Sequence, residues 1–167
     1  MNEVLRQEKK YPIDLAQGAA LRARLDQIMR RDAHNGAQGY TIRSLYFDTP
    51  DDEDFHDKVD GLELRRKLRL RAYSPDADFA MLEMKQKEGP YQKKRYLRLS
   101  REDAVRLCQG DYGPLKSYPD PFAGECYGLM ACRCYRPKAI VEYLRQAYLA
   151  QENHIRITLD SRITATE

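Results

Sequence analysis

The sequence has no tryptophan, no long apolar run and no marked excess of charge of either sign. Among its 167 residues, 29 basic side chains are matched by 26 acidic ones, which leaves a net charge of +3. A cationic surface must therefore come from where the charges are placed and not from their number. Because no stretch approaches the roughly 20 apolar residues that cross a bilayer, we expect no transmembrane segment.

Several catalytic motifs are also missing. The sequence contains no Walker-type glycine loop, no H-E-x-x-H zinc motif and no nucleophile with an evident base. Phosphoryl transfer stays open, because positioning and charge stabilisation supply most of its catalysis and require none of these motifs.

The four cysteines lie in the second half of the chain and follow no secretory apolar region. They are Cys108, Cys126, Cys132 and Cys134. Reduced thiols in a cytoplasmic protein are therefore expected. A zinc site in the C-x5-C-x-C segment is the alternative, although this spacing differs from that of the usual paired knuckles.

The most informative stretch is the run R-R-K-L-R-L-R-A-Y from Arg65 to Tyr73. In an extended strand, successive side chains point to opposite faces. Lys67, Arg69 and Arg71 therefore share one face, and leucines occupy the other. A strand with this pattern can bury its leucines and present three cations to an anion.

The same alternation recurs in four other runs, with ionic residues on one face and mostly apolar residues on the other. They lie near residues 6–10, 82–87, 94–100 and 155–160. Five such segments predict a closed or strongly curved sheet, because polar rows can then face each other across water and ligand. An open sheet with a solvated basic face is the alternative.

The length predicts one domain covering residues 1–167. Capping residues and apolar spacing predict helices at residues 14–31, 51–60, 101–109 and 122–132. Alternation and β-branched content predict strands at residues 2–11, 40–47, 65–73, 79–87, 94–100, 138–148 and 153–160. A turn at residues 88–90 predicts a hairpin, and the last two strands are expected to pair.

The predicted polar faces suit a chain of phosphoryl groups, since arginine supplies a fixed fork of donors and lysine a compact charge. The candidate phosphate-binding cations are Lys10, Lys67, Arg69, Arg71, Lys85, Lys94, Arg145 and Arg156. Glu8, Glu83 and Asp160 lie in phase with them. These carboxylates either neutralise neighbouring cations or hold a divalent metal. Nucleic acid is not expected as a partner, because no stacking motif accompanies the cations.

Six segments resemble the VTC domain, the polyphosphate polymerase domain of the triphosphate tunnel metalloenzyme (CYTH-like) superfamily. They are R-x-E-x-K-Y at residues 6–11, S-L-Y-F-D-T at 44–49, K-L-R-L-R-A-Y at 67–73, L-E-M-K at 82–85, Y-L-R-Q-A-Y at 143–148 and R-I-T-L-D at 156–160. The resemblance implies an α+β fold, an antiparallel β-barrel tunnel flanked by helices. It also implies a phosphotransferase that uses a nucleoside triphosphate such as ATP with Mn²⁺ or Mg²⁺ and binds triphosphate or polyphosphate.

The resemblance further implies a role for individual residues. It assigns Lys10, Arg69, Arg71 and Lys85 to catalysis, and Arg145 and Arg156 to phosphate binding. Lys67 and Lys94 join the phosphate-binding group by strand phase, with Lys93 as the alternative to Lys94. Glu8 and Glu83 are the candidate metal ligands, and Arg6 stands where the superfamily signature has its first glutamate.

The chain departs from VTC-like sequences at its end, where a further E-x-K strand is expected and does not occur before Glu167. Two interpretations remain: the sequence is a fragment of a longer protein, or the tunnel is incomplete and is closed by another chain. Three functions are retained: a polyphosphate polymerase, a triphosphatase and a non-catalytic polyphosphate-binding module. The sequence leaves open a membrane partner and an oligomer.

Overall fold

The computed structural model describes residues 3–5, 8–74, 76–89, 91–152 and 155–167. The chain divides into two compact units. The first comprises Met1–Gln7, Arg43–Val141 and Ala165–Glu167, and the second comprises Glu8–Ile42 and Glu142–Thr164.

Helices and antiparallel strands together give an α+β fold. The helices are α1 (Leu15–Ile28), α2 (Glu53–Val59), α3 (Arg101–Cys108) and α4 (Pro121–Cys132), with a 3-10 helix at Gly113–Ser117. The strands are β1 (Glu3–Leu5), β2 (Arg30–Arg31), β3 (Tyr40–Asp48), β4 (Leu64–Ala72), β5 (Phe79–Glu88), β6 (Tyr91–Ser100), β7 (Arg136–Leu149) and β8 (Arg156–Thr166).

The first unit is built on an antiparallel sheet in the order β1-β6-β5-β4-β3. One face of this sheet carries the buried leucines and methionine that alternate with the cations. They are Leu68, Leu70, Leu82, Met84, Leu97 and Leu99. Together with residues of α3, the 3-10 helix and α4 they form one apolar core, so the opposite face of the sheet is left for polar side chains.

Helix α2 begins without a cap from its own preceding residue, because Asp52 makes no capping hydrogen bond. The carboxylate of Asp48 replaces that cap. It accepts hydrogen bonds from the backbone N–H groups of Thr49 at 2.8 Å, Asp54 at 2.9 Å and Phe55 at 3.0 Å. The end of β3 thereby fixes the start of α2.

The second unit contains α1, β2 and β8 with the greater part of β7. Asp14 and Gln17 form a capping box at the start of α1, each side chain bonding to the other residue's backbone N–H. Strand β2 pairs antiparallel with β7, and β8 also pairs with β7. The side-chain amide of Asn35 donates to the carbonyl of Ala147 and accepts from its N–H, which ties the loop before β3 to β7.

Most predicted elements are confirmed to within a few residues. These include the three central strands, the hairpin between β5 and β6, and helices α2, α3 and α4. At the hairpin, Gly89 has a φ of 55°, a left-handed conformation that glycine adopts without strain. Pro90, predicted as part of this turn, lies outside the described residues.

Three predicted elements are wrong in their extent. Among the described residues of the strand predicted at residues 2–11, Glu3–Leu5 form a strand, whereas residues 8–11 are irregular and exposed. Lys9 stands where an apolar residue would be needed, so this run has no hydrophobic face to bury. The first helix ends at Ile28 because Arg30 and Arg31 pair with β7. The last strand begins at Arg156 and continues to Thr166; Asn153 and His154 lie outside the described residues.

Within the described ranges, no helix combines the length and the apolar character needed to span a bilayer.

Candidate anion-binding site

Three neighbouring strands bring five of the predicted cations onto one face of the sheet in the first unit. We define the basic face as the side chains of Lys67, Arg69, Arg71, Lys85 and Lys94. The register places Lys85 of β5 directly opposite Lys67 of β4 and Lys94 of β6. Directly opposed like charges repel each other, and an anion bound across the row would reduce that repulsion.

One carboxylate, that of Glu83, lies among these cations. Its Oε2 accepts a hydrogen bond from Arg69 Nε at 2.8 Å and lies 2.7 Å from Arg69 Nη2. Its Oε1 accepts from Lys94 Nζ at 2.6 Å and lies 3.7 Å from Arg71 Nη1. Burial would raise the pKa of Glu83, but the charges of Arg69, Arg71 and Lys94 outweigh burial and lower it to about 2. Glu83 is therefore ionised and shared by three cations.

Neighbouring tyrosines contact both Arg69 and Arg71. Tyr46 of β3 lies opposite Arg69, and its hydroxyl accepts a hydrogen bond from Arg69 Nη1 at 3.0 Å. The guanidinium of Arg71 lies 5.9 Å from the centre of the Tyr73 ring. Burial would raise the pKa of Tyr46, but the charge of Arg69 outweighs it and the pKa is lowered. The contact of Tyr46 with Arg69 was not predicted from the sequence, because the register between β3 and β4 cannot be read from either strand alone.

The basic face keeps hydrogen-bonding capacity that its own side chains do not use. Arg71 is only 6% exposed and its Nε has no hydrogen-bond partner; the same holds for the buried hydroxyl of Ser44, which lies directly opposite on β3. Burial lowers the pKa of Lys94, although Glu83 opposes this effect. An anion at this face would accept hydrogen bonds from the buried donors that lack acceptors. It would also stabilise the charged form of Lys94, which burial disfavours.

The alternation also decides between the two adjacent lysines of β6. Lys94 pairs with Lys85, whereas Lys93 pairs with Gln86 and belongs to the opposite face of the strand. On that opposite face, Arg95 forms an ion pair with Glu125 of α4 and donates to Gln86 Oε1 at 2.6 Å. Arg95 is thus a structural cation that joins the sheet to α4.

Two further candidate arginines lie in the second unit, and each has its own carboxylate. Arg145 donates through Nε and Nη2 to the two oxygens of Asp160, both at 2.7 Å. Burial would lower the pKa of Arg145, but the hydrogen bonds to Asp160 outweigh it and the pKa is raised. Arg156 lies 2.9 Å from Asp32 Oδ2 and donates to the Tyr40 hydroxyl at 2.9 Å. Asp160 thereby takes the neutralising role that was one of its two alternatives.

Glu8 and Lys10 also belong to the second unit. Both are exposed and lie in the irregular segment before α1. The structure thus brings together Lys67, Arg69, Arg71, Glu83, Lys85 and Lys94 within the first unit, while Glu8, Lys10, Arg145 and Arg156 are placed in the second.

The residues around Glu83 do not fit a metal held by the protein alone. Both carboxylate oxygens already contact cations, whereas a hard divalent ion requires several oxygen ligands of its own. Within the part of the chain that the structure describes, no three His, Cys, Asp or Glu side chains are grouped so that they could hold a metal ion.

The fold and this site together define an antiparallel sheet protein with a cationic face. The model of one protein family, the VTC domain, matches residues 5–167, and the chain belongs to this family. A search of curated proteins finds no match.

One similar solved structure is that of a putative adenylate cyclase from Bacillus halodurans. The TM-score is 0.60 at 13% sequence identity, and the similarity covers 95% of this chain and 72% of that chain. At this identity the likeness concerns the fold alone, and it confirms the predicted triphosphate tunnel fold class.

Proposed function

We propose that the protein is a phosphotransferase of the polyphosphate polymerase type, which binds a nucleoside triphosphate and polyphosphate at the basic face. The observation that carries the proposal is the concentration of cations on this face. Five of them lie on three adjacent strands, and the buried carboxylate of Glu83 contacts Arg69, Arg71 and Lys94. A multiply charged anion is a ligand that suits such a face.

The residue types suit phosphoryl groups in particular. Arg69 and Arg71 offer planar forks of donors, and Lys67, Lys85 and Lys94 offer compact charges in the adjacent row. In the proposed reaction, an oxygen of the terminal phosphate of the acceptor attacks the γ-phosphorus of the nucleotide. A new P–O–P bond forms, the bond to the β–γ bridging oxygen breaks, and its electron pair leaves with the nucleoside diphosphate. The cations stabilise the charge on the transferred group.

The family membership supports the remaining assignments as part of this proposal. Lys10 takes part in catalysis, and Arg145 and Arg156 bind phosphate. A divalent ion, Mn²⁺ or Mg²⁺, accompanies the nucleotide's phosphates, which supply oxygen ligands that Glu83 does not. The proposal includes a single domain. It also includes a cytoplasmic location, where the four free cysteines would stay reduced.

The test is to incubate the protein with ATP and Mn²⁺ and to resolve the products on a gel that separates long phosphate chains. We expect a ladder of polyphosphate and an equivalent amount of ADP. Release of orthophosphate without polymer would indicate a triphosphatase instead. No turnover, together with binding of polyphosphate, would indicate a binding module.

Two variants test whether the activity belongs to the basic face and not to a contaminant. Arg69→Ala removes a forked donor from the basic face, and we expect it to abolish most product formation. The exposed Arg101→Ala variant, on α3, changes the net charge equally and should remain as active as the wild type. Equal activity of the wild type and Arg69→Ala would contradict the assignment of the reaction to this face.

A further inference from the structure

The position of Glu83 allows a second role for this residue besides neutralising charge. It is 2% exposed and contacts Arg69, Arg71 and Lys94 at once. These three cations are also donors that the proposed function assigns to the ligand's phosphates. Any polyanion that binds at this face must therefore share its cations with a fixed carboxylate that carries the same sign of charge as itself.

This arrangement has two opposite electrostatic consequences. Without a ligand, Glu83 reduces the mutual repulsion of three cations that lie within about 4 Å of it. With a ligand, the same carboxylate repels each phosphate that approaches those cations. Since Arg69 and Arg71 are largely removed from water, solvent screens both interactions only in part.

We propose that Glu83 is a built-in counterion, a positioning residue that holds the cations in place in the empty site and weakens the binding of polyanions. The inference rests on the proposed function and adds that Glu83 limits the affinity of the basic face for polyanions. A polymer that extends by successive transfers must shift along its site after each step. Without Glu83, Arg69, Arg71 and Lys94 would hold a polyanion more tightly, which would oppose that shift.

The test compares wild type, Glu83→Gln and Glu102→Gln by thermal unfolding, with and without inorganic tripolyphosphate at matched ionic strength. Glu102 is exposed on α3, so its replacement changes the net charge equally away from the basic face. We expect Glu83→Gln to have the lowest Tm without ligand and the largest rise in Tm with tripolyphosphate. Its Kd should be roughly tenfold lower than that of the wild type, the order of magnitude for removing one partly screened charge near the ligand.

The outcomes separate the inference from the proposed function. If tripolyphosphate stabilises neither the wild type nor Glu83→Gln, the proposed function fails and the inference fails with it. If it stabilises all three proteins equally, the site binds polyanions but Glu83 is only structural, which overturns the inference alone. A weaker response of Glu83→Gln than of the wild type overturns it as well.

The inference can still be tested if Glu83→Gln folds poorly. If Glu83→Gln is unfolded by itself, tripolyphosphate is expected to fold it, because the ligand supplies the missing negative charge. Failure of the ligand to restore the fold would contradict the counterion role. Glu83→Asp keeps the charge, and its rise in Tm with tripolyphosphate should stay close to that of the wild type.

Discussion

Lys85 lies in the middle of a row of three lysines on the basic face. Lys67 and Lys94 lie directly across from it on the neighbouring strands. Opposed like charges repel each other. A negatively charged ligand bound across the row supplies a reason for this arrangement.

Lys85→Met should therefore impair binding. The substitution removes the charge and keeps the aliphatic chain. The Kd for tripolyphosphate should increase roughly tenfold, as one charge-assisted contact is lost. Calorimetry measures the change in Kd, and chemical denaturation checks that the variant is folded.

Lys58→Met is the matched control, because Lys58 is exposed on α2. It alters the net charge in the same way and should leave the Kd close to that of the wild type. Equal losses of affinity in both variants would show that only the overall charge matters, which would contradict a defined site.

The alternation of residues along β4, β5 and β6 was enough to predict which cations share a face. It could not predict the partners that come from elsewhere in the chain. Tyr46 reaches Arg69 from β3, and Asp32 reaches Arg156 from the loop after β2. Such contacts depend on strand register and on loop geometry, and neither is encoded in the pattern of a single strand. For Lys10, strand phase alone predicted a position in a strand, but residues 8–11 are irregular.

At the scale of the elements, helix α2 has a buried carboxyl group, that of Asp54, close to Arg66 of β4. Asp54 accepts a hydrogen bond from the Tyr135 hydroxyl at 2.9 Å, and its Oδ1 lies 3.4 Å from Arg66 Nε. Burial raises the pKa of Asp54 from 3.8 to about 6; the charge of Asp48 adds to this effect, and Tyr135 and Arg66 oppose it. The folded chain thus takes up a proton at Asp54 more readily than the unfolded chain does.

The contribution of Asp54 to stability should therefore be greatest at low pH and decrease as the pH rises from about 4 to about 6. Asp54→Asn removes this dependence, and we expect its stability relative to the wild type to rise by roughly 2 kcal/mol across that window. Denaturant unfolding of both proteins at several pH values measures the difference.

Asp57→Asn, on the same helix, serves as the control for the loss of one carboxyl group. It removes one carboxylate from the same helix and keeps Asp54. If the difference between wild type and Asp54→Asn did not change with pH, the raised pKa of Asp54 would be contradicted.

The elements that were predicted well are those whose local pattern and tertiary role agree. Strands β4, β5 and β6 alternate over much of their length and bury an apolar face, and α3 and α4 are each preceded by a residue that caps them, Ser100 and Asp120. The end of α1 was missed because residues 30–31 bond to β7, a partner more than a hundred residues away. Strand β8 extends six residues beyond its predicted end at residue 160, over a stretch that is largely exposed and lacks a buried face to mark it.

For the whole molecule, the net charge is only +3, so in the proposed function the attraction of a polyanion depends on where the cations lie. On the basic face, Arg69 and Arg71 are 9% and 6% exposed. Polyphosphate has no sugars between its phosphates, so its charges are more closely spaced than those of a nucleic acid.

We therefore expect polyphosphate to displace a labelled oligonucleotide with the same number of phosphates, while the reverse displacement needs a large excess. Fluorescence anisotropy at physiological salt measures this competition. Equal competition by both polymers would indicate general attraction to charge and would argue against a phosphate-specific site.

The most direct measurement is a calorimetric titration of the wild-type protein with orthophosphate and with tripolyphosphate, at low and at physiological salt. We predict that tripolyphosphate binds at one site per chain, far more tightly than orthophosphate, and that its affinity falls as salt increases. Absence of tripolyphosphate binding at low salt, or equal affinities for the two anions, would contradict the assignment of the basic face as a polyphosphate site.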